Sequence, residues 1–128
     1  MDKLTNIEIG TFLKLFNRGG YVLDFTTNDF DVFTMESIGI ALCNEYHMSK
    51  GKSLAAYVNS ASTSDIEKLL NDLLSYYEEN YEQEYTENLT DDEYSYCQYN
   101  AEYARLYKKC RAYMNRVLNN TTPLAVNA

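Results

Sequence analysis

The stretch SDIEKLLNDLLSYY, residues 64–77, decides the fold. Its apolar side chains recur every three or four residues, which is the period of one face of an α-helix. They are Ile66, Leu69, Leu70, Leu73, Leu74 and Tyr77. Ser64 and Glu67 have the spacing of a capping box, in which two side chains bond free N–H groups at a helix start. Because such a helix must bury its apolar stripe against other elements, the stretch predicts a helical bundle.

Further helices are predicted on the N-terminal side of this stretch. Thr5–Glu8 is another capping box, and Gly19-Gly20 ends the helix that follows it. Shorter helices are predicted near residues 40–47 and 54–58. The segment 21–25 is short, apolar and partly β-branched, which allows at most a minor strand pair. The chain is therefore predicted to be mainly α, a small bundle of about five helices with a long C-terminal helix.

The long C-terminal helix is predicted from a heptad pattern of mostly aromatic residues, called here the tyrosine seam. Its positions are separated alternately by three and four residues: Tyr96, Tyr99, Tyr103, Leu106, Cys110, Tyr113 and Val117. This alternation is typical of a helix that packs along another helix. A second copy of the chain is one candidate partner, since a two-fold contact is the commonest form of oligomer.

One domain is expected for a chain of 128 residues. Within it, residues 1–77 are predicted to form a compact helical part and residues 78–93 an acidic connector. Residues 94–118 are predicted to form the long tyrosine-rich helix, and residues 119–128 a loose tail.

The charge and hydropathy of the chain disfavour nucleic acids and membranes as partners. The net charge is −8, and an acidic chain is repelled by a phosphate backbone unless its bases are gathered on one face. Bases and tyrosines alternate near the end of the long helix, and such a surface can bind nucleic acid. Nucleic acid is therefore retained as a possible partner, less favoured than a protein. No apolar run approaches the roughly 18 residues of a membrane span, and the N-terminus lacks a signal-peptide pattern. We expect a cytoplasmic protein that binds no membrane.

The residue types that carry covalent chemistry are sparse. The three cysteines form no Cys-x-x-Cys pair, so neither a disulfide framework nor a zinc site is predicted. His47 is the single histidine, and it has no sequence neighbours that would make it an acid–base or metal-binding group. We therefore expect no enzyme activity, no metal and no cofactor.

The sequence MSKGKSL at residues 48–54 contains Gly-Lys-Ser, the end of a phosphate-binding loop. A P-loop needs a glycine at the position of Tyr46, so a nucleotide-hydrolysing loop is not predicted. Two interpretations remain: a basic turn that neutralises nearby acids, or a helix N-terminus that binds a phosphate group. Its polar residues are called here the recognition turn: Ser49, Lys50, Lys52 and Ser53.

Residues 78–93 contain eight acidic residues and no base. Such a density of like charge is typical of a solvated helix end followed by a loop. The spacing does not match a calcium-binding loop. The other interpretation is a negative surface that imitates nucleic-acid phosphates, formed by Glu82, Glu84, Glu87, Asp91 and Asp92.

Residues 18–60 resemble a known module. The pattern consists of Tyr21-Val22-Leu23-Asp24-Phe25, Phe30-Asp31-Val32-Phe33, Ile38-Gly39-Ile40, Tyr46 and Ser49-Lys50-Gly51-Lys52-Ser53-Leu54. It is similar to the small N-terminal accessory module of bacterial abortive-infection proteins, which act against phage. The resemblance implies a module that accompanies a separate catalytic domain, with Lys50, Lys52 and Ser53 in a recognition turn. It carries over no catalytic residue.

These patterns lead to two hypotheses for the function. The first is a non-catalytic recognition module in phage–host conflict, which would meet a protein partner through the recognition turn and the tyrosine seam. The alternative is an acidic inhibitor or decoy, phage-encoded, that blocks a nucleic-acid-binding protein through its acidic surface. A third hypothesis is a nucleotide-sensing domain in which the Lys50–Ser53 turn holds a phosphate.

Overall fold

The amphipathic stretch at residues 64–77 forms the middle of a helix in the computed structural model, which describes residues 3–86 and 101–121. Within those residues the chain forms seven α-helices and one two-stranded antiparallel sheet. In chain order they are α1 (Asn6–Phe16), β1 (Asn17–Arg18), β2 (Tyr21–Val22), α2 (Thr27–Ile38), α3 (Leu42–Tyr46), α4 (Lys50–Ser60), α5 (Thr63–Asn80), α6 (Glu82–Tyr85) and α7 (Ala101–Thr121). The predicted class is confirmed: a mainly α fold with a long C-terminal helix and a minor strand pair.

Helix α5 supplies the centre of the core. All six apolar side chains of its predicted stripe are buried, and Leu69, Leu70, Leu73, Leu74 and Tyr77 are completely inaccessible to solvent. The helix begins slightly earlier than predicted, because the Ser62 side chain accepts the hydrogen bond of the Asp65 N–H at 3.3 Å and caps the helix. The stripe packs against α2 on one side and α7 on the other.

Helix α1 begins at the predicted capping box. The Glu8 N–H donates to the Thr5 hydroxyl at 3.1 Å, and the Thr5 N–H donates to the Glu8 carboxylate at 3.0 Å. After α1 the chain turns through Gly19 and Gly20, which both have positive φ angles that glycine adopts without strain. Strand β1 then pairs with β2, so the strand pair predicted near residues 21–25 is present, with residues 17–18 as its other half.

Helix α7 lies antiparallel to α1. Arg116 near its end binds Glu8 at the start of α1, while Tyr103 near its beginning contacts Arg18, just beyond the end of α1. The helix continues to Thr121, three residues beyond the predicted end. The rest of the predicted tail, residues 122–128, lies outside the described residues.

The acidic connector begins with the end of one helix and a second short helix, where a helix end followed by a loop was predicted. Helix α5 continues to Asn80, and α6 follows at Glu82–Tyr85 and packs against α7. The physical reason is that two of the acids are paired: Glu84 with Arg18, and Glu78 with Arg111. Tyr81 and Tyr85 in the same segment also pack against the core, so the segment is partly apolar.

The pair between Glu8 and Arg116 predicts an acid-sensitive contribution to stability. The Arg116 guanidinium, which donates two hydrogen bonds of 2.8 Å to the carboxylate, lowers the pKa of Glu8 from 4.5 to about 2. A carboxyl group with a lowered pKa stabilises the fold at a pH above its ordinary value of 4.5. That stabilisation disappears as the pH falls from 4.5 to about 2.

We expect the variant Glu8→Gln to be about 1 kcal/mol less stable than the wild type at pH 7, a value appropriate to a partly exposed ion pair. Glutamine preserves the capping-box pattern, so mainly the charge is lost. Urea unfolding at pH 7, 4 and 2.5 measures the difference, which should shrink as the pH falls below 4.5 and be smallest at the lowest pH. A difference that stays constant over this range would contradict the assignment.

Candidate functional site

The recognition turn packs closely against the β-hairpin. The Gly51 N–H donates to the Gly20 carbonyl oxygen at 3.0 Å, and the Asn17 side-chain amide donates to the Gly51 carbonyl oxygen at 3.3 Å. A Cβ atom at Gly51 would lie 3.3 Å from the Gly20 carbonyl carbon, which is a tight contact with rigid backbone. The glycine of the Gly-Lys-Ser motif therefore lets α4 approach the hairpin turn.

The polar side chains of the recognition turn are only partly available to a partner. Lys50 is buried, with its ammonium nitrogen 4.6 Å from the centre of the Tyr21 ring. Ser53 is fully buried and donates to the Met48 carbonyl oxygen at 3.2 Å. Ser49 caps the helix by accepting from the Lys52 N–H. Since two N–H groups of the first turn, those of Gly51 and Lys52, are already bonded, little remains to hold a phosphate. Ser49 and Lys52 are the members of the turn that are exposed.

The described part of the tyrosine seam faces the chain's own core. Cys110 and Val117 are buried, and Tyr103, Leu106 and Tyr113 pack against the core with partial exposure. Tyr96 and Tyr99 lie outside the described residues. The buried stripe is wider than a heptad seam, because α7 packs between α1 on one side and α5 and α6 on the other. It also includes Ala104, Tyr107 and Met114, which the heptad pattern did not select. A homodimer stays a prediction, and these side chains serve intramolecular packing in the monomer.

The predicted acidic surface separates into different parts. Glu84 accepts two hydrogen bonds of 3.0 Å from the Arg18 guanidinium and one of 2.9 Å from the Tyr77 hydroxyl. The guanidinium also lies 3.7 Å from the centre of the Tyr103 ring, so this carboxylate belongs to a structural network. Glu82 is exposed. Glu87, Asp91 and Asp92 lie outside the described residues.

A second network fastens α7 to the end of α5. The Glu78 carboxylate accepts from the Tyr107 hydroxyl at 2.5 Å and from Arg111 Nε at 2.9 Å. Burial, together with the bond to Glu78, raises the pKa of Tyr107 to about 12. Burial also raises the pKa of the Cys110 thiol to about 12, so this thiol is not a reactive nucleophile at neutral pH. The perturbed groups in this region are therefore explained by packing.

A groove between α2 and α5 combines open carboxylates with apolar surface. Its volume is about 360 Å³. The residues that define it are Phe33, Glu36 and Ser37 on α2, and Asp72, Tyr76 and Glu79 on α5. We call it the α2–α5 groove. Grooves of this kind, with aromatic side chains and a few polar groups, are common binding sites.

The floor of the α2–α5 groove is held firmly in place. The Tyr76 ring stacks on Phe25 at 4.4 Å between ring centres and meets the edge of Phe33 at 5.9 Å. Its hydroxyl donates to Asp24 at 2.7 Å. Burial raises the pKa of Tyr76 to about 12, so the hydroxyl stays protonated. A floor that is fixed before binding reduces the entropy lost on association.

The edge of the α2–α5 groove is open to solvent. Glu36 and Glu79 are exposed and form no ion pair with any other described residue. Asp72, by contrast, is bound by the Ser37 hydroxyl at 2.6 Å and by Lys68 at 2.8 Å. Beside Glu36 on the outer face of α2, Val32 and Met35 are each 51% exposed. Such a surface can pair with cations and bury apolar side chains.

No pattern in the sequence identifies the α2–α5 groove. A groove between two helices depends on their packing, which no local pattern specifies. One signal was available: Val32 and Met35 lie on the side of α2 that also carries Glu36, where polar side chains are expected. Exposed apolar residues on such a face often indicate an interaction surface when they lie together.

Metal-binding clusters and membrane-spanning helices are absent from the described ranges, 3–86 and 101–121. These ranges contain no group of three or more histidine, cysteine, aspartate or glutamate side chains placed to hold a metal ion. Nor do they contain a helix with the length and hydropathy that crossing a bilayer requires.

Comparison of the chain with protein-family models, with curated protein sequences and with solved structures gave no match.

Proposed function

We propose that this chain is a non-catalytic protein-interaction module whose docking surface is the α2–α5 groove. The observation that carries the proposal is that the groove, with its two open carboxylates, adjoins the outer face of α2, on which Val32 and Met35 are half-exposed without lining the groove. Apolar surface provides most of the free energy of association, while charged edges provide specificity. The aromatic floor also supports a binding role, because a floor that is fixed before binding reduces the entropy lost on association.

The α2–α5 groove is favoured over the two surfaces expected from the sequence. In the recognition turn, Lys50 and Ser53 are buried. In the tyrosine seam, Cys110 and Val117 are buried against the chain's own helices. A partner could reach these side chains only by opening the core, whereas the groove is accessible without any rearrangement.

The biological setting that we propose is phage–host conflict, in an accessory role of the abortive-infection type. This part rests on the resemblance of residues 18–60, a segment that includes α2 and therefore one wall of the groove. A recognition module accompanying a catalytic protein would need such a surface and no chemistry of its own.

Affinity capture from the source organism tests the docking surface. The double variant Val32→Ser/Met35→Ser should retain at least tenfold less of the partner than the wild type, as expected for the loss of two apolar contacts at an interface. The matched control is Ile7→Ser on α1, which removes an exposed apolar side chain at a distance from the groove and should change nothing. Equal capture by all three proteins would refute the proposed surface.

An acidic decoy is the second candidate, favoured by the net charge of −8 and by the open Glu36, Glu79 and Glu82. In that case the captured partner should be a nucleic-acid-binding protein, and the chain should compete with DNA or RNA for it. A partner that binds its nucleic acid equally well in the presence of the chain would remove this candidate.

A further inference from the structure

The two walls of the α2–α5 groove are aligned helices. Ser37 donates to Asp72, and Phe33 contacts Tyr76, so residue numbers rise along α2 as they fall along α5. The two helices are therefore antiparallel. The lining residues of α5 from Asp72 to Asn80 span about 12 Å at 1.5 Å per residue. Those of α2, from Phe33 to Ser37, span about 6 Å. The groove therefore runs along two antiparallel helices and is long enough for one to two turns of a third helix.

The backbone of the walls favours a helix as the occupant over an extended strand. Strand addition needs a row of free N–H and C=O groups on an exposed sheet edge. Here both walls are helices, whose backbone groups bond within their own turns. A partner must therefore be recognised through side chains, which is the mode in which an amphipathic helix lies in a groove.

The charges around the groove specify the partner further. Neither α2 nor residues 69–80 of α5 contains a lysine or arginine, while Asp29, Glu36 and Glu79 are exposed acids in these segments. The nearest base in sequence is Lys68, and it is paired with Asp72. A phosphate backbone would be repelled by this surface, whereas lysine or arginine side chains would be attracted.

We infer that the occupant of the α2–α5 groove is a basic amphipathic helix of a partner protein. Its apolar side chains, spaced by three or four residues, would contact the Phe33–Tyr76 floor. Its lysine or arginine side chains would pair with Glu36 and Glu79. This inference rests on the proposed docking function and adds the chemistry of the partner.

A designed peptide tests the inference without knowledge of the natural partner. The probe is a fluorescein-labelled 18-residue peptide with leucine at helical spacing and lysine at the remaining positions. A matched peptide carries glutamate in place of lysine. Fluorescence anisotropy with the full chain should show binding of the lysine peptide only. The affinity should fall several-fold between 50 and 300 mM NaCl because salt screens exposed charges.

Charge-neutral variants separate the groove from the general acidity of the chain. Glu36→Gln/Glu79→Gln should weaken binding of the lysine peptide at least fivefold. The control pair Glu45→Gln/Asp65→Asn removes two exposed acids that do not line the groove, and it should weaken binding less than twofold. Equal weakening by both pairs would overturn the inference, as would binding of the glutamate peptide or failure of the lysine peptide to bind.

A second measurement keeps the test decisive if a variant folds poorly. Amide chemical shifts of the wild-type chain, recorded with the lysine peptide, should change mainly in α2 and the second half of α5. Changes concentrated elsewhere would overturn the inference. Partner capture that depends on Val32 and Met35, without peptide binding, would refute the basic helix and leave the docking surface intact. Peptide binding in the groove with capture independent of these residues would refute the docking function instead.

Discussion

Tyr77→Ala should lower the free energy of unfolding by about 4 kcal/mol, the range measured for deletion of large buried aromatic side chains. Tyr77 is the largest fully buried side chain of the core. Its ring stacks with Tyr81 at 5.2 Å and contacts Tyr85 and Tyr107 at 5.6 and 5.7 Å between ring centres. Alanine would leave a cavity where α5, α6 and α7 meet. Urea unfolding followed by far-UV circular dichroism measures the loss.

The matched control for this variant is Tyr77→Phe. Phenylalanine keeps the ring and removes only the hydroxyl, which donates to Glu84 at 2.9 Å. Because Arg18 still binds Glu84, we expect a loss of about 1 kcal/mol, typical of one hydrogen bond. If alanine were no more destabilising than phenylalanine, the tyrosine cluster would not be a packed part of the core.

The helices and their starts were predictable because their signals are local. Leu69, Leu70 and Leu73 follow the helical period, and Thr5 and Glu8 have the spacing of a capping box. These patterns involve residues within one or two turns of each other, so tertiary structure has little opportunity to override them. Ser62 shows the limit, since it replaces the predicted Ser64 as the cap within the same polar run.

The folding of residues 78–86 was not predictable from charge density. Glu84 pairs with Arg18, 66 positions earlier, and Glu78 with Arg111, 33 positions later. Both arginines lie outside residues 78–93, so the number of acids in that segment gives no sign of the ion pairs. A better signal was the spacing of Tyr77, Tyr81 and Tyr85, which continues the apolar stripe of α5 by four residues at each step.

The candidate site shows the same difference between local signals, which the sequence contains, and contacts between distant residues, which it does not reveal. The Gly-Lys-Ser motif is present in the sequence, but the role of its glycine is set by Gly20. The two glycines lie against each other only in the folded chain. Likewise, Glu36 and Glu79 belong to different helices, and their position in one groove results from the packing of α2 on α5. Neighbours that are distant in sequence decide whether a polar residue is structural or available for binding.

Arg18→Met should lower the free energy of unfolding by about 3 kcal/mol, the lower end of the range for removing one partner from a buried ion pair. The side chains of Arg18 and Glu84 are 19% and 21% exposed, so the pair is mostly removed from solvent. Without Arg18, the Glu84 carboxylate would be left beside the tyrosine rings, and among the described residues the Tyr77 hydroxyl, at 2.9 Å, would be its remaining hydrogen-bond donor. Methionine fills a similar space, so the lost charge dominates the effect.

The double variant Arg18→Met/Glu84→Gln separates the charge from the packing. Glutamine removes the unpaired negative charge, so the double variant should be more stable than Arg18→Met alone by about 1–2 kcal/mol. Arg18 also stacks on Tyr103 and donates to the Leu15 carbonyl oxygen at 3.1 Å, and these contacts are lost in both variants. Urea unfolding at pH 7 of the wild type, the single variants and the double variant measures the coupling.

The sign of this coupling decides how the acidic segment is held. If the two substitutions are additive, the pair contributes no specific attraction, and α6 is fixed by its tyrosine rings alone. If Glu84→Gln partly rescues Arg18→Met, the guanidinium is what allows an acidic stretch to fold against α7.

Since Tyr81 and Tyr103 both contact the same guanidinium, the ion pair and the ring packing should weaken together. Hydrogen exchange of residues 78–86 should then be faster in Arg18→Met than in a variant destabilised by a similar amount in another part of the core, such as Leu54→Ala in α4.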